Sequence, residues 1–134
     1  MAELPERMLQ GTQAEAERVA NDQQKTAGLL DDALRKAEQQ ESRLRRVWTG
    51  LMTLLRLARG WRQGRYRDVP WRTVVLILAA LLYFVNPLDI IPDAIFALGY
   101  LDDATVIAWV LRSAKKDVDR FLEGERAQEI SPAS

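Results

Sequence analysis

The fold turns on the stretch from Trp71 to Leu111, WRTVVLILAALLYFVNPLDIIPDAIFALGYLDDATVIAWVL. From Trp71 to Val85 only Arg72 and Thr73 are polar, so this segment reads as a helix without a polar face. Such a helix must be covered by protein or by lipid. Fifteen residues make a rod of about 22 Å, whereas a bilayer crossing takes about 20 residues and roughly 30 Å. The apolar run breaks at Asn86-Pro87 and again at Pro92, Gly99 and Asp102-Asp103, and a second apolar leg runs from Ala104 to Leu111. The stretch therefore reads as a broken-helix hairpin with an acidic middle. Its short legs predict a hairpin that dips into a bilayer or barely crosses it.

Working outward, basic residues flank the hairpin on both sides. The 134-residue chain has a formal net charge of zero, but residues 1–42 carry 5 basic and 9 acidic side chains, residues 43–72 carry 9 and 1, and residues 73–134 carry 5 and 9. The sums are −4, +8 and −4, and a strongly basic middle of this kind points to a membrane surface or a nucleic acid. By the positive-inside bias, Arg43 to Arg72 before the hairpin and Arg112, Lys115, Lys116 and Arg120 after it place both ends at the cytoplasmic membrane, on the cytoplasmic side.

Residues 42–64 form the most regular of these flanks. Leu44, Val47, Trp48, Leu51, Leu54, Leu55, Ala58 and Trp61 recur at spacings of three and four, which gives one apolar helical face. Arg43, Arg45, Arg46, Arg56, Arg59 and Arg62 occupy other positions, and Trp71 follows the loop marked by Gly64 and Pro70. A basic amphipathic helix edged with Trp48, Trp61 and Trp71 suits a bilayer interface with anionic headgroups as its partner. The competing reading is a helix packed on its own domain. Nucleic acid is not the expected partner, because the other face of this helix is too apolar to be left in water and no nucleic-acid motif accompanies it.

Before this helix, residues 1–42 are polar and rich in helix formers. They predict an arm with a solvated helix from about Thr12 to Glu41, partly disordered at its start, with a thin stripe of Val19, Leu29, Leu30 and Leu34. Self-association of the arm as a coiled coil is one use for that stripe. The first ten residues are acidic and have no apolar core of a secretory signal, so the folded parts are expected to face the compartment of synthesis. After the hairpin, Ile107 to Leu122 continue one amphipathic helix that is expected to end at Gly124, with a disordered tail over 125–134. The resulting division is an arm (1–42), a basic amphipathic helix and loop (43–70), a hairpin (71–124) and a tail. The fold class is all-α.

The chain has no cysteine and no histidine. That excludes a disulfide framework, a thiolate nucleophile, a Cys/His zinc site and an imidazole base. The conspicuous chemistry left is the carboxylate set Asp89, Asp93, Asp102 and Asp103. As helix caps they would satisfy amides orphaned in an apolar place: Asn86 ahead of Pro87 and Asp89, Pro92-Asp93 opening a middle helix, Asp102 ahead of Asp103. Converging instead at the hairpin tip, they would have to bind a cation, pair with Arg72 or Arg112, or share protons. An oxygen-only set suits a divalent cation such as Mg²⁺, Ca²⁺ or Mn²⁺. No other cofactor and no catalytic residue is assigned, and a non-enzymatic role is the expectation. A carboxylate-dependent cation-handling protein and a soluble bundle acting as an interaction module are the alternatives.

The run Asn86-Pro87-Leu88-Asp89-Ile90-Ile91-Pro92-Asp93, followed by Gly99 and Asp102-Asp103, resembles the signature of the YkvA-like family, a domain of unknown function (1232). The resemblance covers about Trp71 to Leu111. It implies a small membrane-associated helical protein and brings no established activity. Asn86 stands where the family usually has Ser, and Phe96 where it usually has a third proline, so the middle helix is expected to run on to Gly99.

Overall fold

A helix with no polar face needs cover, and the chain supplies much of it from its own N-terminal arm. A computed structural model describes residues 13–66, 68–85 and 103–130, with 103 and 128–130 as backbone alone. These residues are all-α, without a strand among them: α1 is Gln13–Ala20, α2 Gln23–Gln39, α3 Trp48–Arg62 after a 3₁₀ turn at Arg45–Val47, α4 Trp71–Val85, α5 Asp103–Ser113 and α6 Lys115–Ile130. Every residue from 77 to 84 is buried. Helices α1, α2, α3 and α5 all lie against α4.

This overturns the expectation that the apolar helix lacks cover within the chain. The solvated arm is corrected with it. Ala16, Val19 and Ala20 of α1 and Leu29, Leu30, Ala33 and Ala37 of α2 are buried. With buried Thr26, the positions 26, 30, 33 and 37 repeat at spacings of four, three and four, which is the seam of a packed helix. Half of that seam is alanine, and alanine lets two helix backbones approach closely. Of the stripe expected to serve self-association, Val19, Leu29 and Leu30 are buried inside the chain and Leu34 is partly so.

One continuous arm helix is also corrected, to two. Asn21 donates its side-chain amide to the Glu17 carbonyl at 2.9 Å. Asp22 then caps α2, its carboxylate accepting from the amides of Gln24 at 3.0 Å and Lys25 at 3.1 Å. An Asx residue at this position satisfies orphaned first-turn amides and is worth about 1 kcal/mol. The buried Thr26 hydroxyl donates to the Val19 carbonyl at 2.6 Å, which pins the two helices together. At the far end of α2, the Lys36 ammonium donates to the Phe84 carbonyl in the last turn of α4 and lies 5.0 Å from the Phe84 ring centroid. A cation there complements the negative end of the α4 dipole.

Helix α3 is central rather than interfacial. Of its residues 51–60 only Arg56 and Arg59 are exposed, because α2, α4, α5 and α6 all touch it. Its apolar face is therefore filled by protein and is not available to hydrocarbon. It ends as the sequence suggests, in a glycine cap: Gly64 has φ 78, the Gly64 amide donates to Trp61 at 3.1 Å and the Arg65 amide to Gly60 at 3.0 Å. This is a Schellman arrangement, which needs the left-handed conformation glycine adopts without steric cost.

The single helix expected beyond Asp103 is bent into two. The bend is shallow, since the Ala114 amide still donates to Val110 at 2.8 Å and the Val118 amide to Ala114 at 2.9 Å. Gly124 does not end α6, which runs through it to Ile130, so 125–130 are helical rather than a disordered tail. Among the described residues no helix is long and apolar enough to cross a membrane.

Two substitutions test this architecture by chemical denaturation. Ala33→Leu should lower unfolding free energy by about 1–3 kcal/mol, as overpacking a closed seam does; a solvated arm would be indifferent to it. Gly124→Ala, at a helical position with open space around it, should raise stability by roughly 1 kcal/mol, whereas a glycine cap at that position would respond with a loss.

Candidate functional site

Side chains that could meet a charged partner collect where α4 begins and where α5 bends into α6. Pro70 accepts the first amides of α4, Thr73 at 3.0 Å and Val74 at 3.1 Å, so the helix starts just past the loop and presents Trp71 and Arg72 at its rim. Trp71 is 44% exposed, and no other large apolar side chain among the described residues is exposed. Its ring lies 6.0 Å from that of Trp61, tilted by 53°. The Thr73 hydroxyl donates to the Asp117 carboxylate at 2.6 Å, joining the start of α4 to α6.

Beside this rim lies a groove of about 1070 Å³. Arg72, Arg112, Lys115, Lys116 and Arg120 line it, against one carboxylate, Asp117. Its apolar wall is made of Val75, Leu76 and Ala79 from α4 and Trp109 from α5. Lys115 is paired with Asp119 at 2.7 Å and Arg120 with Asp68 at 3.6 Å. Arg72, Arg112 and Lys116 have no acidic partner among the described residues. All three are exposed.

The residues read from sequence as an interface set do not form one patch. Arg43, Arg45 and Arg46 are exposed in the turn before α3, while Arg59 is exposed and Arg62 half-buried in its last turn, about 20 Å away at 1.5 Å per residue. Trp48 is half-buried against the core, and Trp61 is the one brought to Trp71. Arg56 is engaged elsewhere, its guanidinium donating to both oxygens of Glu125 at 2.9 and 3.1 Å. Of the acidic candidates, Asp89, Asp93 and Asp102 lie outside the described residues, together with Asn86, Pro87, Pro92 and Gly99 and the expected middle helix. Asp103 opens α5 and is described as backbone alone. The groove itself was missed in the sequence, where Arg112 to Arg120 counted only as a basic flank. The signal was present: Arg112, Lys116 and Arg120 recur every four residues, which sets them on one helical face.

Tyr66, in the loop behind the rim, packs edge-on to Phe121 with ring centroids 5.1 Å apart. Its hydroxyl is buried with no hydrogen-bond partner among the described residues. Burial raises its pKa above the usual phenol value, and the Asp68 carboxylate adds to the shift while the Arg120 guanidinium opposes it.

Residues 73–109, which span α4 and the first part of α5, match the family described as "Protein of unknown function (DUF1232)". Over 71 residues the chain is 41% identical to the "Uncharacterized membrane protein YkvA" of Bacillus subtilis (strain 168), covering 53% of this chain and 67% of that one. The chain belongs to the YkvA-like family. A shorter stretch of 41 residues is 56% identical to the "E3 ubiquitin-protein ligase RNF170" of Xenopus laevis and 54% identical to that of Xenopus tropicalis. In both cases it covers 30% of this chain and 16% of the ligase. No solved structure matches the chain. The family segment contains Thr73, Val75, Leu76, Ala79 and Trp109 of the groove, whereas its α6 cations lie beyond the segment.

The raised Tyr66 pKa has a definite sign. A folded chain that holds this proton more tightly than the unfolded chain loses stability as the pH rises past about 10. Tyr66→Phe removes a hydroxyl that has no partner, so at neutral pH it should leave the denaturation midpoint unchanged or raise it. Between about pH 9 and about pH 11 it should also lose less stability than the parent.

Proposed function

We propose that this YkvA-like chain is a membrane-associated helical bundle with a structural or interaction role, which settles on anionic lipid surfaces through Trp71, Arg72 and the cations beside them. The observation that carries this reading is the exposed Trp71 ring at the edge of a basic rim. An indole is at home at a headgroup boundary, and each Lys or Arg near an anionic leaflet adds about 1 kcal/mol of attraction. The membrane designation of the Bacillus subtilis relative supports the same reading. Since α4 is covered by its own neighbours, the contact proposed for the described residues is with the membrane surface. Placing both termini on the cytoplasmic side rests on the basic flanks alone.

Co-sedimentation of the full chain with vesicles tests this. Binding is expected to phosphatidylcholine vesicles containing phosphatidylglycerol, to weaken with added salt, and to be slight to phosphatidylcholine alone. Trp71→Ala and Arg72→Glu should each weaken it about fivefold. Equal binding to neutral vesicles, or none to anionic ones, would overturn the reading.

A further inference from the structure

We propose that the groove between the start of α4 and the α5–α6 bend is a binding site for one phosphate-bearing amphiphile, a single anionic lipid. Its headgroup phosphate lies among Arg72, Arg112 and Lys116, and its first chain carbons lie on Val75, Leu76 and Trp109. A flat basic patch attracts any anion, but here three cations and an apolar wall share one concavity. That pairing selects a ligand that is charged at one end and greasy at the other.

The charges leave room for such a ligand. Lys115 and Arg120 already have carboxylate partners. Asp117, the acidic group in the groove, is held by the Thr73 hydroxyl. Asp117 keeps its charge, and the three cations without a carboxylate partner outnumber it, which leaves the groove with a positive excess. Arg112 and Lys116 are one helical turn apart, about 6 Å along the axis, which a single phosphate can bridge. The volume of about 1070 Å³ is at the upper end of small-molecule sites, which run from about 300 to about 1,000 Å³. It suits a headgroup with part of its chains and is much larger than a bare phosphate needs.

This deepens the membrane reading, because a lipid drawn into the groove would fix the orientation that surface attraction leaves loose. Isothermal titration of the full chain with dihexanoyl phosphatidylglycerol, kept below its micelle-forming concentration, tests the site without a membrane. Inorganic phosphate and dihexanoyl phosphatidylcholine run alongside. The expected result is saturable one-to-one binding of the anionic lipid, at least tenfold tighter than either comparison ligand. Arg112→Glu and Lys116→Glu are both surface changes and should leave the circular dichroism unaltered; combined, they should weaken binding about tenfold or more. Phosphate binding as tight as the lipid would reduce the groove to a simple anion site, and equal binding of phosphatidylcholine would remove the charge selection; either overturns the proposal. If the short lipid fails to bind while anionic vesicles still do, the groove falls and the surface reading stands. If it binds while vesicles do not, the groove stands alone.

Discussion

The burial of α4 is the constraint on which the remaining helices depend. A helix that is apolar on every side has no stable place in water, and burying each Leu or Phe side chain is worth about 2 kcal/mol. The chain meets this need with short, separate helices placed around α4. Helix α3 contributes large side chains, Leu51, Leu54 and Leu57, while α1 and α2 set small ones, Ala16, Ala33 and Ala37, beside Val19, Leu29 and Leu30. Large residues fill volume. Small ones let the arm lie close.

With α4 wrapped and α3 buried on most sides, the apolar faces of these two helices are consumed by folding. What stays outside is a rim where Trp71, Arg72 and the bend between α5 and α6 converge, tied together by the Thr73–Asp117 hydrogen bond and the Arg120–Asp68 pair. The exposed Arg120–Asp68 pair contributes little stability. The effect of both contacts is positional, because they engage Asp117 and Asp68 while Arg72, Arg112 and Lys116 have no carboxylate partner among the described residues.

The local punctuation is where sequence and structure agree or part most instructively. The Gly64 stop was readable because a positive φ at a helix end has a residue signature. The break between α1 and α2 has a signal of its own in the Asn21-Asp22 pair, which the abundance of helix formers on both sides obscures. Gly124 misled in the other direction: a glycine near the end of an apolar stripe resembles a cap, yet with open space around it the helix continues. The arm was misjudged for a related reason. Counting only large apolar residues gave a thin stripe, and the alanines that complete the seam are indistinguishable by type from those of an exposed helix.

By itself the sequence determined the all-α class, the extent of α4, the family membership carried by its motif, and the concentration of positive charge in its middle, because helix periodicity, turn chemistry and charge are local properties. Which surfaces face each other was decided only by the tertiary structure. Whether Val74 to Val85 meets lipid or protein depends on the shape of residues fifty positions away, and whether Arg72 joins Arg112 and Lys116 depends on how α4 crosses α5. Those are questions of packing among distant segments, and no window along the chain contains both partners.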